Sequence, residues 1–151
     1  MMKPYNYRFE NVLTFRELEK TETETEYKES VDAFEVIATE LYELLKKKEE
    51  TLEEQQERMS RGFSIDGIHH YARFIGSLER KIEEVQQKVM QARSKMHWYE
   101  DKLLERTLEV RKFEKMKEKD REQYDVETEY REAQNLDELS TMTFRGREVG
   151  W

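Results

Sequence analysis

Apolar residues recur along most of the chain at alternating steps of three and four. From Ile68 to Phe113, fourteen positions follow this frame and only Arg106 is polar. Such a run predicts a long helix whose apolar seam, at heptad positions a and d, packs on another helix. The positions of this seam are Ile68, Tyr71, Ile75, Leu78, Ile82, Val85, Val89, Ala92, Met96, Tyr99, Leu103, Arg106, Val110 and Phe113.

A weaker seam precedes it. From Leu13 the same stepping first meets polar residues, and it is mainly apolar only between Tyr27 and Leu52. The Thr-Glu repeat at 21–26 is the weakest part, and we expect it to be mobile or locally kinked. The predicted seam positions are Leu13, Glu17, Lys20, Glu24, Tyr27, Val31, Phe34, Ala38, Leu41, Leu45, Lys48, Leu52, Gln55 and Met59.

Glycine and proline locate the breaks in this pattern. Neither occurs in residues 5–61 or 77–145, whereas Gly62 can end a helix and Ser64 can cap the next one. We therefore predict an all-α fold, a long antiparallel two-helix coiled coil (helical hairpin) in which the second helix overhangs. The predicted organisation is an N-terminal tail at 1–7, one hairpin domain at 8–139 and a flexible C-terminal tail at 140–151. Within the domain we expect helix 8–60, turn 61–64 and helix 65–139.

Composition agrees with a hairpin better than with a globule. Charged residues make up 41% and hydrophobic residues 36%, which is too few apolar side chains for a closed core. Cysteine is absent, and no apolar run suits a signal peptide or a membrane span. The net charge of −8 argues against nucleic acid as a partner. We expect a soluble cytoplasmic protein that does not insert into a membrane.

The overhang is the first candidate for a docking element. In an antiparallel hairpin centred on Gly62, residue i faces roughly residue 124 − i, so residues 117–139 have no partner within the chain. Charge is segmented here, with eight basic and five acidic residues in 102–121 but one basic and seven acidic in 122–138. Such blocks can arise by chance in charged helices, or they can steer this part of the chain toward a partner.

Aromatic residues near the turn form a second candidate surface. Phe63 lies in the turn and Phe74 lies beside the seam, at heptad position g. A residue at this position can simply cover the edge of the seam, or it can anchor another protein. Both interpretations remain open from the pattern alone.

Chemistry-bearing motifs are scarce. The histidines are His69, His70 and His97, and the one Asp66-x-x-His69 pair is only half of a metal site. No phosphate-binding glycine loop or nucleophile elbow occurs. We therefore expect no enzyme, no cofactor and no bound metal.

Four stretches, in order, resemble the bacterial flagellar export protein FliJ family over about residues 5–144. Tyr7–Leu13 with Arg16 resembles the opening F-x-x-(V/L)-L-x-x-(R/K) pattern, and His70–Glu79 with Ile82 resembles Y-x-x-F-(I/V)-x-x-L-(E/D). The stretch at 110–118 resembles the basic K-x-x-E-x-(L/M)-(K/R) run, and the pair at 137–138 resembles the closing D-E. Residues 145–151 match no family pattern.

The resemblance implies a stalk-like hairpin that inserts into the hexameric flagellar export ATPase and promotes its activity. It also implies contacts with the cytoplasmic part of the membrane export gate and with export chaperones, at the inner face of the cell membrane. Gate binding would involve Tyr71, Phe74 and Leu78, although Leu78 also falls in the predicted seam. ATPase binding would involve the residues Phe9, Leu13, Arg111, Lys112, Lys115, Lys117 and Arg121.

Other functional classes fit the same pattern. A self-assembling structural coiled coil would form a stable dimer, whereas the hairpin predicts a monomer. A holdase chaperone with a prefoldin-type hairpin would suppress aggregation of unfolded clients without an ATPase. A metal-dependent enzyme is the most distant alternative.

Overall fold

Two long helices pack against each other, which confirms the predicted all-α helical hairpin. The computed structural model describes residues 4–149. Helix α1 spans Glu10–Ser60 and helix α2 spans Ile65–Val149, and there is no strand in this part of the chain. Helix α1 continues without a break through the Thr-Glu repeat at 21–26.

The turn between the helices has the local chemistry that the sequence indicates. Gly62 has a φ of +95°, in the left-handed region that glycine adopts without strain. The Gly67 amide donates a hydrogen bond to Ser64 Oγ at 3.2 Å, which satisfies one of the free N–H groups at the start of α2. Gly67 also gives room to Phe63, because a Cβ at this position would lie 2.7 Å from the Phe63 ring. The chain can therefore reverse within residues 61–64.

The seam of α2 is the one predicted. All fourteen positions of its frame are buried or half-buried, and Val85 is the most deeply buried, at 1% exposure. This continuous stripe presents one apolar face of α2 to α1.

The seam of α1 lies partly in a different frame. Leu45, Leu52 and Met59 were predicted to be in the seam but are exposed, and Leu52 is 43% exposed against 8% for the neighbouring Thr51. The predicted and observed frames share the positions that run from Leu13 to Gln55 at steps of seven residues. The remaining buried positions lie one residue earlier in the sequence than predicted, as Thr51 does relative to Leu52. Buried or half-buried positions with this spacing are Leu13, Arg16, Lys20, Thr23, Tyr27, Ser30, Phe34, Ile37, Leu41, Leu44, Lys48, Thr51 and Gln55.

Hydroxyl groups are buried one residue before Val31 and Leu52, the apolar positions that were predicted for the seam. Ser30 Oγ donates a hydrogen bond to the Tyr27 carbonyl at 2.6 Å, and Thr51 Oγ1 donates one to the Lys47 carbonyl at 2.7 Å. Because each hydroxyl finds an acceptor on its own helix, neither is buried without a partner. A pattern of apolar residues alone cannot detect this arrangement.

The chain divides into two compact units. The turn unit is Thr21–Glu105, and the terminal unit combines residues up to Lys20 with those from Arg106 onward. In the turn unit, Lys48 Nζ lies 3.4 Å from the Glu79 carboxylate. In the terminal unit, Arg106 Nη1 lies 2.6 Å from Glu19 Oε2. The paired numbers add to 127 (48 and 79) and 125 (106 and 19), close to the 124 expected for an antiparallel hairpin.

The first residue of α1 and the last residue of α2 differ from the expected boundaries. Helix α2 does not end near residue 139 but continues to Val149, so residues 140–149 are helical where a tail was predicted. Helix α1 begins at Glu10 instead of residue 8. The parts of the predicted tails at 1–3 and 150–151 lie outside the described residues.

Burial in the seam predicts which substitutions on α2 destabilise the fold. We expect Val85→Ala to lower the free energy of unfolding by about 1–3 kcal/mol, because it removes packed methyl groups at a fully buried site. Met90→Ala on the exposed side of the same helix is the matched control, with an expected change within about 0.5 kcal/mol. Urea unfolding followed by circular dichroism measures both values. Equal losses would contradict the assignment of Val85 to the seam.

Candidate protein-binding surfaces

The cations in the basic run of α2, at residues 111–121, differ in the contacts that they make within the protein. Arg111, Lys112 and Lys115 are exposed to solvent. Lys117 is half-buried, with Nζ 2.8 Å from Glu10 Oε2. Arg121 pairs through Nε with Asp125 at 3.3 Å. The residues predicted to bind an ATPase therefore lie together on α2, but their cationic groups are not equally available.

The segment Pro4–Phe9, which we call the strap, packs against the second part of this run, where Arg121 nevertheless stays exposed. The Arg121 guanidinium lies 4.5 Å from the centre of the Tyr5 ring, a cation–π distance. The Tyr5 and Tyr124 rings meet edge to face at 5.2 Å. Tyr5 also donates a hydrogen bond from its hydroxyl to Asp120 Oδ2 at 3.1 Å. The strap is thus a packed element, in a place where a tail was predicted.

The inner part of the strap belongs to the core of the terminal unit. Tyr7 is buried and donates a hydrogen bond to the Phe113 carbonyl at 3.2 Å. The Phe9 and Phe113 rings lie 6.4 Å apart. Leu13 is buried as well. Of the two apolar residues predicted to bind the ATPase, Leu13 is a core residue and Phe9 is half-buried.

Burial in the strap also changes the acidity of its phenols. Desolvation by burial is the main factor that raises the pKa of Tyr7, and the charge of Asp120 adds to it. Desolvation likewise raises the pKa of Tyr5, followed by its hydrogen bond to Asp120. Both hydroxyls are therefore held in the neutral form in which they donate hydrogen bonds.

Beyond the strap, α2 exposes apolar side chains. The strap reaches Tyr124, so the unpaired part of α2 begins later than residue 117, where it was predicted. From 125 to 146 every side chain is exposed except Thr128, which is half-buried. The large apolar side chains of this overhang are Val126, Tyr130, Leu136, Leu139, Met142 and Phe144.

An ion network explains the single polar residue in the α2 seam. Glu19 Oε2 lies 2.6 Å from Arg106 Nη1 and 3.2 Å from Arg16 Nη1. Glu19 is mostly buried, and the two arginines are about one-third exposed. In the apolar pattern Arg106 is an interruption. The antiparallel register could have indicated its partner, because residue 106 faces residue 18, next to Glu19.

The gate-binding residues predicted near the turn differ in exposure. Leu78 is 7% exposed and Tyr71 is also buried, so both face the packed interior of the turn unit. Phe74 is 38% exposed, and Lys47 Nζ lies 5.6 Å from the centre of its ring. Phe74 is therefore the one member of this trio that a partner can reach directly.

Phe74 borders a groove of about 550 Å³ in the turn unit. The Phe63 and Tyr71 rings pack at 5.4 Å on one side of it. Burial, followed by the hydrogen bond to Glu54, raises the pKa of Tyr71. The other groove residues are Thr51, Glu54, Arg58, Asp66, Gly67 and His70.

Neither a metal site nor a membrane span stands out in the described part of the chain. No three His, Cys, Asp or Glu side chains converge among those that the structure describes. None of the helical residues described forms a stretch that is long and apolar enough to cross a bilayer. The surfaces available for function are the basic run, the overhang and the Phe74 region.

Comparison with known proteins identifies the family. The model of the family "Flagellar FliJ protein" matches residues 5–148. The match therefore includes residues 145–148, where the sequence motifs indicated no resemblance. The chain belongs to the flagellar FliJ family. A Flagellar FliJ protein of Bacillus subtilis (strain 168) is 34% identical to it over 140 residues, which cover 93% of this chain and 95% of that protein. No solved structure matches the chain.

Membership of the FliJ family confirms the predicted role in flagellar export and in the biogenesis of the flagellum. The family is a non-enzymatic component of export. Its match includes all the surfaces described above, from Tyr5 in the strap to the end of the overhang.

The raised pKa of Tyr7 predicts how stability depends on pH. The contribution of the neutral hydroxyl is fully present below the unfolded pKa of 10.0 and is lost as the pH rises through the higher folded value. We expect the wild type to be more stable than Tyr7→Phe at neutral pH, and the gap to shrink above pH 10. Chemical unfolding of both proteins across this range measures the gap. A gap that does not change with pH would contradict a buried phenol at residue 7.

Proposed function

We propose that the chain is a stalk and adaptor of the flagellar export apparatus, without catalytic activity of its own. Its terminal unit inserts into the ring of the export ATPase and stimulates turnover, and its turn unit contacts the cytoplasmic part of the export gate. It also engages export chaperones. It works in the cytoplasm, held peripherally at the inner face of the membrane by these partners. The observation that carries this proposal is the set of exposed cations Arg111, Lys112 and Lys115 on α2, followed on the same helix by the exposed overhang.

The terminal unit has the chemistry of an insertion surface. Arg111, Lys112 and Lys115 present cations to solvent, and the acidic overhang follows on the same helix. Adjacent blocks of opposite charge orient a molecule during approach to a partner with complementary charges. The exposed side chains of Val126 and Tyr130 then supply apolar contacts after entry.

The turn unit offers a different anchor. Phe74 combines an accessible ring with a neighbouring groove, and buried aromatic anchors that enter a partner's pocket dominate many protein interfaces. Tyr71 and Leu78, three residues before and four residues after Phe74 on the same helix, are buried in the seam. We propose that they hold Phe74 in position for the gate while they remain packed.

Charge reversal in the basic run tests the ATPase contact. We expect replacement of Lys112, Lys115 and Lys117 by Glu to abolish stimulation of the purified flagellar export ATPase, because three attractive charges become repulsive. The measurement is ATP turnover and hexamer content with and without each protein.

Three exposed lysines elsewhere on α2 provide a matched control. Replacement of Lys81, Lys88 and Lys95 by Glu changes the net charge equally, and we expect it to leave stimulation within about twofold of wild type. Circular dichroism verifies that both variants keep their helicity. Unchanged stimulation by the Lys112 set, or equal loss in both sets, would remove the assignment of this surface.

Truncation of the ring tests the gate contact. We expect Phe74→Ala to weaken binding to the cytoplasmic part of the export gate by about 10- to 100-fold, the range for loss of an interface anchor. Leu104→Ala, at an exposed apolar residue of the same unit, is the control and should bind as wild type does. Calorimetric titration gives the affinities. Equal affinity of Phe74→Ala and wild type, with helicity intact, would argue against an anchor at this position.

A further inference from the structure

The start of the chain engages two cations of the basic run, through Tyr5 of the strap and through Glu10 in the first turn of α1. Arg121 lies against the face of the Tyr5 ring at 4.5 Å, and the Lys117 ammonium lies 2.8 Å from the Glu10 carboxylate. Tyr5 also donates a longer hydrogen bond to the Lys117 carbonyl, at 3.4 Å. An aromatic ring and a carboxylate from the start of the chain therefore occupy the positions that a partner would use to contact these cations.

We propose that the strap masks this part of the ATPase-binding surface and that docking displaces it. The displacing segment has the same chemistry as Tyr5 and Glu10 together, an aromatic side chain beside a carboxylate, presented by the ATPase. This inference rests on the proposed function, since it assumes that the basic run binds the ATPase. The strap then acts as an intramolecular competitor of the ATPase segment that binds these cations.

The strap has a firmly packed end and a lightly held end. Tyr7 and Leu13 are buried and anchor the inner end in the terminal unit. Tyr5, at the outer end, depends on an exposed hydrogen bond to Asp120, the longer bond to Lys117 and ring contacts with Arg121 and Tyr124. Exposed polar contacts of this kind stabilise little. The outer end can therefore lift while the seam stays intact.

A groove beside the strap gives a partner a point of entry. It has a volume of about 780 Å³, and Tyr5, Glu10, Lys117 and Arg121 all contribute to its walls. A partner side chain in this groove would reach both cations from the side. Displacement of Tyr5 could then proceed stepwise, without prior unfolding of the terminal unit.

Removal of the Tyr5 ring is the first test. We expect Tyr5→Ala to bind the export ATPase about 3- to 10-fold more tightly than wild type, because the apparent Kd is the intrinsic Kd divided by the unmasked fraction. Tyr5→Phe loses the hydroxyl but keeps the ring on Arg121, and it should fall between the two. Asn6→Ala, in the same segment, is the control and should bind as wild type does.

A reversible lock on the strap is the second test. The natural chain contains no cysteine, so a Tyr5→Cys/Tyr124→Cys variant can be joined with a short thiol-specific crosslinker at this pair alone. We expect the crosslinked protein to bind the ATPase at least about 10-fold more weakly than the same variant before crosslinking. The uncrosslinked sample controls for loss of the two rings.

The outcomes separate this inference from the proposed function. Tighter binding by Tyr5→Ala together with weaker binding by the crosslinked protein supports masking. Equal or weaker binding by a helical Tyr5→Ala, while wild type binds, overturns masking but leaves the proposed function standing. If Tyr5→Ala loses helicity, the crosslinked variant decides, and undiminished binding after crosslinking overturns masking. If neither wild type nor any variant binds the ATPase, both proposals fail.

Discussion

The apolar stripe of α2 is the constraint on which the rest of the structure depends. It keeps one heptad frame from Ile68 to Phe113, with Val85 at its most buried point. A helix this polar elsewhere gains little from propensity alone and is stable mainly through the face that it buries. Helix α1 supplies the opposing face, and the four-residue turn at 61–64 makes the pairing antiparallel. Exposed apolar side chains outside the seam, such as Phe74 and Val126, are then accessible to partners.

The partner face on α1 is chemically mixed, and the mixture makes it specific. Thr51 and Ser30 bury hydroxyls that bond to their own helix, and Glu19 joins Arg106 across the terminal unit. Breaking a mostly buried ion pair leaves an uncompensated charge, which disfavours other registers. The strap continues this pairing with Tyr7, whose hydroxyl reaches a backbone carbonyl of α2. Within each unit, packing and polar contacts together define the register of the two helix segments.

Much of the fold could be predicted from the sequence, because long-period patterns and turn residues report on local structure. The α2 seam and the Gly62 turn follow from heptad spacing and from the left-handed preference of glycine. The frame of α1 could not be predicted in this way, because Leu52 is more hydrophobic than Thr51. Only packing against α2 determines which of the two is buried. The strap was missed for the same reason, because Tyr5 is ordered by contacts with residues more than a hundred positions away. The sequence pattern predicted an accessible surface correctly at Phe74, which lies beside the seam and is exposed. Only the structure shows that Leu78, which was also predicted to bind the gate, is buried.

The shifted frame of α1 has a consequence for how this helix tolerates genetic change. Leu52 projects sideways into solvent while the adjacent Thr51 is enclosed. Sensitivity to substitution along α1 therefore does not follow the hydrophobicity of the native residue. In a saturation mutagenesis scan, exposed leucines of α1 would tolerate more substitutions than the buried hydroxyl residues. Conservative substitutions of Ser30 or Thr51 would destabilise the fold more than drastic substitutions of Leu45.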